Sequence, residues 1–188
     1  MNRLVIDAIN KLESFMKTVD DATALPREAA EFVHALILAA PIRRAVEIGT
    51  SYGYSGLWIA SALATRSGRL ITIDHLQRKS DAARASFQAA DLLEYVDLRI
   101  GTASEILRSI NGPLDFVLND ADKDNCITYV DIVAPKLVDG GIILTDNTTT
   151  HARELAGFID YMRRRHDFFT AILPVGNGMA LSIKHARP

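Results

Sequence analysis

The sequence predicts a doubly wound α/β fold, and three observations carry the prediction. After Pro41, short apolar runs rich in β-branched residues alternate with segments of helix length. Those runs are continuously apolar, as parallel strands covered on both faces require. The chain closes on two further runs joined by a turn-rich link, the pattern of an antiparallel hairpin. Together they predict a mostly parallel, seven-stranded sheet with a C-terminal antiparallel hairpin.

Before the first strand the pattern is helical. Leu4, Ile6, Ile9 and Leu12 predict one amphipathic helix. Pro26 is placed to open a second, because its ring suits a first helical turn. That helix runs through Phe32, Leu36 and Leu38, and Pro41 ends it. The predicted strands are then Ala45–Ile48, Leu70–Asp74, Val96–Ile100, Phe116–Leu118 and Ile142–Thr145. The hairpin joins Phe168–Leu173 to Met179–Ile183 through Pro174-Val175-Gly176-Asn177-Gly178.

A length of 188 residues suits one domain, with helices over 1–40 and an α/β core over 41–188. The net charge of −2 provides no general field toward nucleic acid or anionic lipid. Arg163-Arg164-Arg165-His166 reads as favourable charge at a helix C-terminus. Cys126, the only cysteine, excludes an internal disulfide and reads as a half-buried structural thiol. The N-terminus lacks a signal-peptide core, and no run of about twenty apolar residues could span a bilayer. The expected location is the cytoplasm.

In open α/β sheets, ligands bind beyond the carboxyl ends of the strands, so the residues following each strand are the ones to examine. The first strand ends in Gly49, with Gly53 four residues later and a helix starting near Ser55. Glycines permit close backbone approach and positive φ, and the helix N-terminus favours an anionic group. The spacing is not G-x-G-x-x-G, which argues against a dinucleotide. Asp74, ending the second strand, can accept bonds from ribose hydroxyls or simply cap the next helix. Gly101-Thr102-Ala103-Ser104 suits contact with a flat purine edge, or Thr102 or Ser104 serves as an N-cap.

The fourth and fifth strands deliver Asn119-Asp120-Ala121-Asp122-Lys123 and Thr145-Asp146-Asn147 to neighbouring tips. Asp120 should therefore face Asp146 and Asn147. Such an oxygen set suits a hard divalent cation, with open positions for substrate oxygens. Without one, the facing carboxylates repel, and Lys123 offers the alternative of a structural charge pair.

With these residues assembled, the chain resembles the cation-dependent class I S-adenosylmethionine O-methyltransferases of the catechol and caffeoyl-CoA type. The resemblance covers about residues 28–184. It rests on Val46–Ser55, Ile73-Asp74, Gly101–Ala103, Asp120–Lys123, Gly140-Gly141 with Asp146-Asn147, and Leu173–Gly178. It implies a Rossmann-like methyltransferase fold binding S-adenosylmethionine and a divalent cation, Mg²⁺. By this similarity Glu47, Gly49, Thr50, Tyr54 and Ser55 would surround the methionine end and sugar of the cofactor. Asp74 would hold the ribose, with His75, Ala103 and Ser104 near the adenine. Asp120, Asp146 and Asn147 match the metal ligands, Asp120 also lying near the cofactor amino group, and Lys123 matches the general base. The implied reaction methylates a hydroxyl of a small catechol-like acceptor, and the implied assembly is a homodimer.

This sequence departs from the family pattern in places. Thr148-Thr149-Thr150-His151 stands where an aromatic-bearing loop is usual, and reads as running almost directly into a helix. Cys126 replaces an aromatic, Asn177 replaces an acidic residue, and the leader before residue 28 is short. His151 follows the metal motif closely and is either a site residue or a surface histidine in a first helical turn. Two rival functions remain: a nucleotide-cofactor (NAD-type) oxidoreductase, and a non-catalytic S-adenosylmethionine-binding domain.

Overall fold

The computed structural model describes residues 1–185. Helices α1 (Arg3–Met16) and α2 (Arg27–Ala39) precede the sheet. The core follows as β1 (Arg44–Ile48), α3 (Tyr54–Ala64), β2 (Arg69–Asp74), α4 (Gln77–Ala89) and β3 (Val96–Ile100). It continues with α5 (Ala103–Ser109), β4 (Leu114–Asn119), α6 (Cys126–Val133) and β5 (Leu137–Asp146). Helix α7 (Ala156–Arg164) and the hairpin β6 (Phe168–Leu173) and β7 (Met179–Lys184) complete it.

The seven strands lie in the order β3-β2-β1-β4-β5-β7-β6. The first five are mutually parallel, and β7 runs antiparallel to both β5 and β6. The order reverses between β1 and β4, which makes the carboxyl ends of those strands the expected ligand crevice.

Successive residues of each central strand enter opposite cores, because strand side chains alternate faces. Ala45, Leu70, Phe116, Leu118, Ile142 and Leu144 pack with the apolar faces of α1 to α4. Val46, Ile48, Ile71, Ile73, Val117 and Ile143 pack beneath α6 and α7. This two-sided burial is why the strands read as continuous apolar runs.

The leader helices are present, but their buried faces are rotated from the expected ones. In α1 the core side chains are Val5, Ala8, Ile9 and Leu12, while Leu4 and Ile6 are exposed. In α2 they are Ala29, Ala30, Val33 and Ile37, while Leu38 is exposed. Small alanines fill the close contact of α2 with α3, so the larger apolar residues misreport the stripe. Strand β5 begins five residues before its expected start, since Gly140 and Gly141 interrupt the apolar run without ending the strand. Cys126 is fully buried rather than half-buried, at the first turn of α6. Residues 148–155 form turns, so α7 starts later than the sequence after Asn147 implies. No helix among the described residues is long and apolar enough to cross a membrane.

Candidate functional site

A cavity of about 760 Å³ opens along the carboxyl ends of β1 to β5. Gly49, Thr50, Tyr54, Ser55, Asp74, His75, Ala103, Asp120, Lys123, Asp146, Asn147 and His151 all contribute to its wall. Residues expected from five separate strand ends therefore share one space.

The floor begins with the turn after β1. Gly49 and Thr50 donate backbone bonds to the Ile73 carbonyl at 2.9 and 3.1 Å, locking the turn to β2. Gly49, Ser51 and Gly53 have φ of 103°, 46° and 88°, so the chain passes through three positive-φ positions in five residues. A Cβ at Gly49 would lie 2.6 Å from the Asp120 carbonyl oxygen, so only glycine lets β1 and β4 approach this closely. Helix α3 then starts at Tyr54, directing its first N–H groups toward the cavity end.

At the β2 tip, Asp74 already accepts two backbone bonds, from Ser51 N at 2.7 Å and Leu76 N at 2.9 Å. It thus both caps the next segment and reaches the glycine turn. His75 is largely exposed, its Nδ1 3.7 Å from Asp74 Oδ1. Thr102 occupies the N-cap of α5 without a side-chain capping bond. Ala103 faces the cavity, whereas Ser104 is not among its lining residues.

Glu47 is also absent from the wall. It is fully buried behind the turn, where its carboxylate accepts from the Thr72 hydroxyl at 2.6 Å, and Thr72 bonds Thr50 at 2.6 Å. Its other oxygen has no partner. Burial pushes its carboxyl up to about 7, against the opposing effect of the nearby Ser55 and Thr72 hydroxyls. Strand alternation points its side chain into the core beneath α3, a recess that the motif alone does not reveal.

Asp120 and Asp146 converge at the β4 and β5 tips. Burial pushes the Asp120 carboxyl up to about 7, with the Asp146 charge adding to the effect and Lys123 opposing it. Asp146 is also raised by burial, against the Asn147 backbone N–H, Lys123, Asn177 and His151. Its Oδ1 is buried without a hydrogen-bond partner. Lys123 Nζ lies 3.6 Å from Asp120 Oδ1 and donates to the Ala121 carbonyl at 3.0 Å. Asn147 sits at φ 70°, turning the chain so that it continues the wall.

A buried carboxylate with one oxygen unpaired, Asp146, a partly buried one, Asp120, and an amide form a donor set that fits a hard cation. Among the described residues no three His, Cys, Asp or Glu side chains are grouped for a metal; the set here is two carboxylates and an asparagine.

Met16, Ala22, Thr23 and Ala24 also line the cavity, as do Lys79, Asn125, Tyr129 and Asn177. The leader's contribution had no sequence signal, since it comes from the last residue of α1 and from small residues in the irregular segment that follows. His34 and Trp58 are packing residues: His34 Nδ1 lies 2.9 Å from the Trp58 carbonyl, and the rings meet edge to face.

Comparison with known proteins places this geometry in context. The sequence matches the O-methyltransferase family over residues 9–185. It is 34% identical over 133 residues to the catechol O-methyltransferase of Mycobacterium tuberculosis, aligning 68% of this chain with 60% of that protein. The match thus spans less than two thirds of that relative's length. Caffeoyl-CoA O-methyltransferase 1 of Eucalyptus globulus is 28% identical over 177 residues, covering 82% of this chain and 72% of that one. In fold, the chain is similar to the O-methyltransferase TomG of Streptomyces achromogenes, solved in complex with SAM. That likeness has a TM-score of 0.84 at 24% identity, over 99% of this chain and 91% of the other.

Proposed function

The chain belongs to the O-methyltransferase family, and on that premise we propose that it transfers a methyl group from S-adenosylmethionine to a hydroxyl of a small catechol-like acceptor, assisted by a divalent cation. One observation carries the proposal: a single cavity joins the glycine turn and Asp74 to Asp120, Asp146, Asn147 and Lys123. A cofactor cradle and an oxygen-rich site for an acceptor are therefore within one ligand's reach.

The residues divide by position. Gly49, Thr50, Tyr54 and Ser55 flank the methionine end, and Asp74 receives the ribose hydroxyls in exchange for part of its backbone bonding. His75 and Ala103 border the adenine, while Ser104 supports from outside the wall. Glu47 acts from behind, holding Thr72 and through it Thr50 in place. Asp120, Asp146 and Asn147 would hold the cation, Mg²⁺, which when bound supplies Lewis-acid stabilisation of negative charge on the acceptor oxygens. Lys123, in its neutral amine form, takes the proton of the reacting hydroxyl and becomes the ammonium, which Asp120 Oδ1, 3.6 Å away, then faces. Most of the acceleration comes from holding nucleophile, methyl carbon and sulfur in line. The names of the relatives, catechol and caffeoyl-CoA O-methyltransferase, support an aromatic acceptor with vicinal oxygens.

The same proposal includes a homodimer and a cytoplasmic location, checked by sedimentation velocity and by fractionation. The test of function is isothermal titration with S-adenosylhomocysteine and NADH, followed by methyl transfer to phenols and catechols. Binding of the first ligand with turnover of a catechol is the expected result. Binding of NADH alone would favour the oxidoreductase alternative, and binding without turnover the non-catalytic one.

A further inference from the structure

Between α1 and α2 the chain runs without regular secondary structure from residue 17 to 26. Met16, Ala22, Thr23 and Ala24 nevertheless face the cavity. The segment is fastened at its two ends to opposite sides of the cleft.

At one end Asp21 is the focus of a side-chain cluster. Tyr52 donates its hydroxyl to Asp21 Oδ1 at 2.8 Å, and Arg78 pairs with Oδ2. Arg78 also donates to the Tyr52 hydroxyl at 2.7 Å. Lys79, only 8% exposed, donates to the Asp21 carbonyl at 2.7 Å and lies 5.3 Å from the Tyr52 ring centre. At the other end Pro26 and Ala29 rest on the β6–β7 turn. A Cβ on Gly176 would lie 2.8 Å from the Ala29 Cβ and 3.2 Å from the Pro26 Cγ. The next residue, Asn177, lines the cavity beside Asp146.

The segment therefore crosses the cleft from the Asp74 side to the Asp146 side. Helix α1 is separately anchored: Tyr54 donates to Glu13 at 2.6 Å, and Arg27 makes two bonds of 3.0 Å to the same carboxylate. Tyr52 and Tyr54 flank Gly53 in the glycine turn, so both anchors of the leader grip the cofactor cradle itself.

The two ends differ in strength. The Pro26 end is continuous with α2 and packed on backbone. The Asp21 end is held by side chains around a carboxylate that is 43% exposed, and such contacts are individually weak. A segment of this kind opens locally at far lower cost than the core.

Building on the cofactor assignment above, we infer that residues 17–26 form a strap over the bound cofactor and that Asp21 is its latch, a positioning residue for cofactor retention. The strap lifts at Asp21 to admit the cofactor and closes by re-forming the Tyr52–Asp21–Arg78 cluster. Ala22, Thr23 and Ala24 then cover the outer side of a ligand seated on Gly49 to Ser51. A ligand that gains contacts only with the closed strap shifts the strap toward closure. Weakening the latch lowers apparent affinity by the lost fraction of closed molecules.

The test compares wild type with Asp21→Asn and Arg78→Gln, using S-adenosylhomocysteine as the ligand. Lys17 is exposed at the start of the strap, so trypsin cleavage after it reports opening. Saturating ligand is expected to slow that cleavage in wild type and to slow it less in either variant. Each variant is expected to raise the Kd roughly threefold to tenfold, mainly through faster dissociation. In steady state the cofactor KM should rise more than kcat falls, whereas a general folding defect would lower apparent kcat and the melting temperature and leave KM unchanged. Wild-type cleavage unchanged by bound ligand, or a Kd within twofold of wild type in both variants, would overturn the latch. Failure of wild type to bind the ligand at all would instead overturn the cofactor assignment, and the strap with it.

Discussion

Replacing Gly49 by alanine isolates what the glycine turn contributes. Its φ of 103° lies outside the region that L-residues occupy, and the new Cβ would meet the Asp120 carbonyl oxygen at 2.6 Å and its carbon at 3.0 Å. Strained φ and the forced displacement of backbone against backbone together cost about 2–4 kcal/mol. The strain has two ways to be relieved. If the turn pulls away from β4, the cradle is lost and affinity for S-adenosylhomocysteine falls about 30- to 700-fold, at about 1.4 kcal/mol per tenfold. If the turn stays, the whole fold carries the cost and the melting temperature drops by about 2–4 °C per kcal/mol. Gly140→Ala is the control, since Gly140 shares a positive φ of 79° but a Cβ there meets nothing within 4 Å. It should cost about 1–2 kcal/mol in stability and leave affinity alone. Titration calorimetry and thermal melts of both variants decide the matter. Gly49→Ala with a Kd within twofold of wild type and an unchanged melting temperature would refute the close-approach reasoning.

Other perturbations probe the remaining parts. Glu47 is pushed up to about 7 in the folded protein, whereas in the unfolded chain it titrates near 4.3. The fold therefore holds an extra proton between those values, and stability should fall as pH rises from about 4.5 to 7, then level off, by up to about 3 kcal/mol. Asp120 adds a change of the same sign; urea unfolding across pH should show a shallower fall in Glu47→Gln, and an identical slope would contradict the assignment. Lys123→Met should lower kcat by roughly 10²- to 10⁴-fold while leaving cofactor binding within a few-fold, as the loss of a proton acceptor requires. Mg²⁺ should raise the melting temperature of wild type and not of Asp146→Ala, since the ion relieves repulsion between Asp120 and Asp146; an equal rise in both would place the ion elsewhere. Gly178→Ala should loosen residues 148–151, because its Cβ would fall 2.2 Å from the Thr149 hydroxyl and 2.7 Å from that of Thr148. A loss of Mg²⁺-dependent stabilisation would be its signature.

Much of the architecture could be read from periodicity, because strands buried on both faces leave an unmistakable apolar run. Strand β6, Phe168–Leu173, carries its expected limits because the turn-rich link from Pro174 to Gly178 ends it. The site was readable in outline, since sheet topology forces residues after Ile48, Ile73, Ile100, Asn119 and Thr145 to one edge. What sequence did not reveal depends on side-chain direction and on distant packing. Glu47 lies in the correct segment, but strand alternation turns it inward. Ser104 follows Ala103 in the helix and rotates out of the cavity. In α1 Ile9 and Leu12 face the core as expected while Leu4 and Ile6 do not, and in α2 alanines, which carry weak hydropathy, make the closest contacts. Lys79 and the strap residues Ala22 to Ala24 have no motif at all; only the fold brings the leader across the cleft. His151 does reach the cavity wall, a placement that its position four residues after Asn147 left undecided.

Transfer of a labelled methyl group from S-adenosylmethionine to a panel of catechols and simple phenols, with and without EDTA, tests the proposed activity most directly. Turnover of a vicinal diol, abolished by EDTA and restored by Mg²⁺, is the expected result. A catechol methylated equally well in EDTA, and by Asp146→Ala, would contradict the role given to Asp120, Asp146 and Asn147. No transfer to any acceptor despite tight cofactor binding would contradict the enzymatic function itself.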